Sequence, residues 1–177
     1  MTALKPRAAK SKPANAHAPT LAASLFLDNQ LCFALYSSSL AMTKVYRPLL
    51  SPLGLTYPQY IVLLALWEHR ELSVGRLGEQ VALDSGTLVA LIRKLAAQGL
   101  VIRQRSASDD RSVLISLTPA GLALSKRAHA VHDQVACTTQ RTPAERQALV
   151  QSLHGLRIAL RAIGPAGNAN WPAGLGT

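Results

Sequence analysis

The chain has 177 residues, of which 49% are apolar but only 5% aromatic, with a net charge of +10. That composition suits one aliphatic, helical domain with tails, and a pI near 10.3 suits a polyanionic partner such as DNA. No apolar run of about 18 residues is present, so a membrane-spanning helix is excluded, and the basic N-terminus lacks the apolar core of a secretory signal. Two cysteines without a signal fit a reducing cytosol, so a cytoplasmic protein is expected.

Residues 1–24 carry Lys5, Arg7, Lys10 and Lys12, with no acid before Asp28. Such a segment is expected to be a disordered basic tail; a solubilising role is favoured over an arm on DNA phosphates. The globular domain is expected over residues 25–162. Its first long helix is predicted over residues 25–53, capped by Asp28 or Asn29, with Leu31, Leu35, Leu40 and Leu49 apolar. Pro48 and Pro52 should kink or fray its end. Thr56-Tyr57-Pro58-Gln59 reads as a capping box opening an all-round apolar helix, which belongs at the centre of the core. Trp67 is assigned to that core.

Residues 73–81 form the next short helical pattern, with Leu77 and Val81 inward. A second follows at Asp84-Ser85-Gly86-Thr87-Leu88, capped by Asp84 or Ser85 and ended by Gly99, with Leu88, Ile92 and Leu95 on one face. Then Leu100-Val101-Ile102-Arg103 and Val113-Leu114-Ile115-Ser116-Leu117 read as two strands joined by a polar, basic loop. Helix, turn, helix and basic hairpin make a winged helix-turn-helix: a mainly α fold with a small β-wing, its reader unit at about 56–118. Beyond it, Thr118-Pro119 and Thr142-Pro143-Ala144-Glu145 open two more helices. The first carries Leu122, Leu124, Ala128 and Val131; the second Leu149, Leu153, Leu156 and Leu160. The helices at about 25–53 and 119–162 are assigned to dimerisation, because a two-fold dimer reads two half-sites of a pseudo-palindromic operator. Residues 163–177 read as a flexible tail.

Double-stranded DNA is therefore the expected partner. Thr87, Ala90, Arg93 and Lys94 stand opposite the apolar face of the second reader helix; Ser85 either meets DNA or only caps the helix. Arg103 and Arg105 should contact the backbone. Arg111 is placed in a narrow minor groove, and Asp109 should fix the wing loop. His129 and His132 lack further ligands, so no metal or other cofactor is expected.

Cys32 and Tyr36 share a helix face at i, i+4. Tyr46 returns to nearly that face about 21 Å along the axis, so within one straight helix it cannot reach Cys32. In an antiparallel dimer it would lie beside the other subunit's Cys32, and phenolic hydroxyls are suitable donors to a thiolate. Spacing alone leaves both Cys32 and Cys137 as ordinary small core residues.

The strings Asp28-Asn29-Gln30-Leu31-Cys32, Met42-Thr43-Lys44 and Thr56-Tyr57-Pro58-Gln59-Tyr60 resemble the organic-hydroperoxide-sensing, or OhrR, type of the MarR family of repressors. Asp109-Asp110-Arg111, followed by Leu117-Thr118 and Gly121, is similar to the general MarR wing. The resemblance covers about residues 25–124 well and the last helix more loosely. It implies that Cys32 is a peroxidatic cysteine, with Tyr36 and Tyr46 supporting its thiolate. It also implies that Cys137 is the resolving cysteine of the two-Cys subclass, closing an intersubunit disulfide on oxidation by an organic hydroperoxide and releasing the homodimer from its operator. Val89-Ala90 departs from the Thr-Pro common in that family, which favours thymine-methyl contacts there. Three other readings remain: an architectural nucleic-acid binder, which sequence-independent affinity at moderate salt would favour; a repressor gated by a phenolic or aromatic ligand, with Cys32 incidental; and a thiol peroxidase. The peroxidase is disfavoured because the chain devotes a winged helix to DNA and has no Cys-x-x-Cys; the protein is not expected to be an enzyme.

Overall fold

The computed structural model describes residues 23–105 and 113–163. The chain divides into two compact units, Met1–Met42 and Thr43–Thr177. In the first unit, two 3-10 turns, Ala23–Leu25 and Leu27–Asn29, precede α1 (Leu31–Leu50), so the helix predicted from residue 25 starts later. Side chains explain the shift. The Asn29 amide donates to the Ala23 carbonyl at 2.7 Å, and the Gln30 amide donates to the carbonyls of Ser24 and Phe26. These bonds hold tight turns that an α-helix would have to open, so neither Asp28 nor Asn29 serves as the α-helical cap.

In the second unit, Pro48 lies inside the last turn of α1 without ending it. A 3-10 turn, Ser51–Leu53, and Gly54 at φ +69° then reverse the chain. The helix α2 (Tyr57–His69) begins at the predicted capping box, with Thr56 N–H donating to Gln59 Oε1 at 2.9 Å. It is the centre of the core, burying Tyr60, Val62, Leu63, Ala65 and Leu66. It is not buried all round, however, because Leu64 faces solvent. Trp67 is half-buried and donates its indole N–H to the Gly121 carbonyl at 2.9 Å.

The strand β1 (Glu71–Ser73), which the sequence reading missed, leads into α3 (Val74–Val81), capped by Ser73. The helix α4 (Ser85–Ala97) buries Leu88, Ile92 and Leu95 as predicted and stops before Gly99 at φ +69°. The strands β2 (Val101–Arg105) and β3 (Val113–Leu117) form the hairpin. β3 is the central strand of an antiparallel sheet ordered β1-β3-β2, with Leu72 opposite Ile115 and Val101 opposite Leu117.

The helix α5 (Pro119–Thr138) is capped by Thr118, whose hydroxyl accepts the Gly121 N–H at 2.9 Å. A Cβ at Gly121 would lie 2.0 Å from the Leu100 carbonyl oxygen, so only glycine admits this approach. Ala128, Val131 and Val135 are buried, but Leu122 is exposed, because the inward face is set by Gly121 one residue earlier. The helix α6 (Pro143–Ile163) has its predicted box, Thr142 N–H donating to Glu145 Oε2 at 2.7 Å. None of its residues is buried. Among the described residues, no single helix is long and apolar enough to cross a membrane.

Candidate functional site

The outward face of α4 is built by capping and by core packing together. Asp84 closes the helix N-terminus, its Oδ1 accepting the Thr87 N–H at 2.9 Å. Bonds from the Thr87 side chain and backbone hold this carboxyl below the usual carboxylate range. With Asp84 as cap, Ser85 is the first helical residue and its hydroxyl is not needed for capping. Ser85, Thr87, Ala90, Arg93 and Lys94 are all exposed, away from buried Leu88, Ile92 and Leu95. The described ion pairs involve only Glu68 with His69 and Arg76 with Glu79, so Arg93 and Lys94 keep their charge for another partner.

Arg103 and Arg105 are exposed on β2, opposite Ile115 and Val113 respectively. They stay exposed on the strand face that begins at buried Val101. Asp109 and Arg111 lie outside the described residues.

The sequence reading missed what holds α4 in place. Buried Gln59 donates from Nε2 to Gln98 Oε1 at 3.1 Å, and Gln98 donates to the Gly54 carbonyl at 2.8 Å. The capping-box glutamine therefore ties the end of the reader helix to the turn before α2. Its buried position distinguishes it from an ordinary cap.

Two free thiols and four tyrosines make up the second set. Cys32 is exposed in the first turn of α1, and Tyr36, four residues on, is 63% exposed. Cys137 is free and exposed in the last turn of α5, beside a cavity of about 390 Å³ lined also by Arg141, Thr142 and Arg146. Neither cysteine is the buried core residue that spacing alone suggested.

Tyr46 is half-buried, its ring centroid 4.7 Å from Tyr57 and 5.5 Å from Tyr60. Tyr60 in turn meets Trp67 edge-on at 6.1 Å. Burial first, then Tyr60 and Tyr57, push the Tyr46 phenol up to about 12. Burial also raises Tyr57 and Tyr60. All three remain protonated at neutral pH and able to donate. Tyr57 was read only as the opening of α2; a signal was present, since Tyr36, Tyr46, Tyr57 and Tyr60 are all the tyrosines of the chain. Among the described residues no group of three or more His, Cys, Asp or Glu is placed to hold a metal ion.

Comparison with known proteins agrees with this geometry. The chain is 57% identical over 102 residues to the organic hydroperoxide resistance transcriptional regulator of Bacillus subtilis, covering 58% of this chain and 69% of the relative. The chain belongs to the MarR family of winged-helix transcriptional regulators. Residues 44–127 also match the SarA/Rot family of transcriptional regulators. The structure of reduced AbfR bound to DNA is similar at 32% identity, covering 76% of this chain and 94% of that one, with a TM-score of 0.62. Disulfide-formed AbfR is similar at 35% identity, covering 73% and 91%, with a TM-score of 0.54. This MarR-family chain has a winged-helix fold, and the protein is a transcriptional regulator of the MarR/OhrR type.

Proposed function

We propose that this regulator is a homodimeric repressor that organic hydroperoxides release from a pseudo-palindromic operator by oxidising Cys32. The observation that carries the reading is the exposure of both thiols in a chain whose Bacillus relative is named for organic hydroperoxide resistance. A peroxide can reach such thiols, whereas a buried structural cysteine would be inert.

In the reduced state α4 enters the major groove, with Ser85, Thr87 and Ala90 toward base edges and Arg93 and Lys94 toward phosphates. Arg103 and Arg105 follow the backbone from the wing, and Arg111 with Asp109 completes it at the minor groove. The Cys32 thiolate attacks the terminal oxygen of the hydroperoxide. The O–O bond breaks, the alkoxide takes a proton to leave as an alcohol, and Cys32 becomes a sulfenic acid. The Cys137 thiolate of the second subunit then attacks that sulfur. The S–O bond breaks, the departing hydroxide takes a proton to leave as water, and a disulfide joins the subunits. Tyr36 and Tyr46 supply hydrogen bonds to the thiolate, and Tyr57 accompanies Tyr46 because their rings pack together, tilted by 37°. The bond between subunits re-spaces the two reader units and DNA is released.

The test is non-reducing electrophoresis after one equivalent of an organic hydroperoxide, alongside operator binding. Wild type should give a covalent dimer and release DNA, whereas Cys32→Ser and Cys137→Ser should give none. DNA release by peroxide that survives in Cys32→Ser would sink the proposal.

A further inference from the structure

Three helices meet at the turn Ser51–Leu53 and the Gly54 that follows it. α1 runs directly into the turn, and buried Leu50 and Leu55 anchor it on either side. Two backbone bonds close it: Gly54 N–H donates to the Ser51 carbonyl at 2.9 Å, and Leu55 N–H to the Leu50 carbonyl at 3.2 Å. A turn closed in this way passes a displacement on instead of absorbing it. Two of its carbonyls each receive a long side chain from a distant helix. Arg127 of α5 donates from Nη2 to the Pro52 carbonyl at 3.0 Å, across 75 residues of chain. Gln98, the C-cap of α4, donates from Nε2 to the Gly54 carbonyl at 2.8 Å, across 44 residues. Neither bond helps its own helix to form, so both serve to fix one element against another. The Gln98 amide has one usable orientation, because its Oε1 is taken by Gln59 Nε2 at 3.1 Å. Buried Gln59 is itself held on Oε1 by the N–H and hydroxyl of Thr56, at 2.9 and 3.0 Å. α4 packs mainly on α2, α3 and β2, and α5 on α2, β3 and the turn. The turn is therefore where a movement of α1 or α5 reaches the far end of the reader helix.

We propose that this turn is the joint through which α1 and α5 set the angle of the reader helix, with Gln98 and Arg127 as the positioning residues that carry it. The same two bonds then transmit release. Cys32 lies on α1 and Cys137 on α5, so a disulfide between subunits pulls, in each subunit, both helices that bear on the turn. The release half of this statement rests on the peroxide reading above; the positioning half does not. Both side chains are exposed, so replacing them leaves the core intact.

The experiment first leaves oxidation out. Reduced full-length protein is titrated, by fluorescence anisotropy, into a duplex that wild type has selected from a random pool. It is also titrated into that duplex lengthened by one base pair at its centre. Gln98→Met removes both amide bonds. Gln98→Glu keeps an acceptor for Gln59 but turns a carboxylate oxygen toward the Gly54 carbonyl. Arg127→Met removes the second link, and Arg127→Lys still has a donor for Pro52. Wild type should prefer the selected duplex. Gln98→Met, Gln98→Glu and Arg127→Met should each lose about fivefold of that preference, the scale of one net hydrogen bond, while Arg127→Lys retains it. A general loss of stability would weaken binding to both duplexes alike and leave the ratio unmoved, so an unmoved ratio overturns the inference. Equal wild-type affinity for the two duplexes would overturn it too, because the reader helices would then have no fixed spacing to lose. The second arm adds one equivalent of an organic hydroperoxide. The covalent dimer should form in every variant as in wild type, yet the fall in affinity on oxidation should shrink by about fivefold in Gln98→Met and Arg127→Met. Cross-linking with an undiminished fall would overturn the transmission. If wild type does not cross-link, the peroxide reading falls while the spacing result decides the positioning.

Discussion

The helices α2 and α6 have similar sequence signatures and opposite surroundings. Each opens with a Thr-x-x-Gln or Thr-x-x-Glu capping box, after which α2 runs apolar all round and α6 carries leucines at helical spacing. Yet α2 buries six residues and α6 buries none. Leu149, Leu153 and Leu160 of α6 are between 40% and 56% exposed. An apolar stripe of that length in water is unfavourable and marks a surface meant to be covered. The difference teaches that an apolar pattern reports which residues want burial, not whether one chain provides it. The reader unit has its own core, whereas among the described residues nothing buries a face of α6; in the function proposed above the second subunit does.

The comparison breaks most readily at the two leucines that embody it. Leu66→Ala should cost about 2–5 kcal/mol in denaturant unfolding, because Leu66 is fully buried in α2. Leu153→Ser in α6 should leave the unfolding of the reader core nearly unchanged and instead raise the dimer dissociation constant in sedimentation equilibrium. A Leu153→Ser protein with wild-type association would remove α6 from the interface. A smaller effect sharpens the picture at the junction between the two regions. Thr118→Ala, which removes the cap of α5, should cost about 1 kcal/mol.

A further effect concerns pH. Folding raises the Tyr46 phenol from 10.0 to about 12, so the folded state holds its proton more tightly than the unfolded chain. That contribution is complete below pH 10 and is lost as pH rises toward 12. Denaturant midpoints should therefore fall more steeply over that interval in wild type than in Tyr46→Phe. Parallel curves would show that Tyr46 is not buried in the tyrosine stack.

Much of the reader was legible because its signals are local. The Asp84 cap, the Leu88, Ile92, Leu95 face and the Gly99 stop all act within one helix. β1 was missed because three residues carry no usable periodicity, and its partner β3 lies more than forty residues downstream. The onset of α1 was misplaced because Asn29 and Gln30 bond backward to carbonyls rather than forward to a helix N-terminus. The tyrosine stack was half legible. Tyr46 was named, but Tyr57 joins it only through the turn at Gly54, whose geometry spacing along one helix does not encode.

Gly121 has a mechanical consequence. Its N–H is tied to Thr118, its carbonyl to Trp67, and its Cα rests on the backbone of Leu100. These contacts pin α5 to the base of the wing at one point. Cys137 lies sixteen residues along α5 from it, an arm of about 24 Å at 1.5 Å per residue. Arg105, five residues from Leu100 along a strand, gives an opposing arm of about 17 Å. Were α5 and the wing to turn about this point as one body, a displacement of 1 Å at the thiol would turn the wing by only about two degrees and move Arg105 by less than the input. With gearing below unity such a lever would deliver force rather than travel, and the disulfide proposed above would be a suitable source of force.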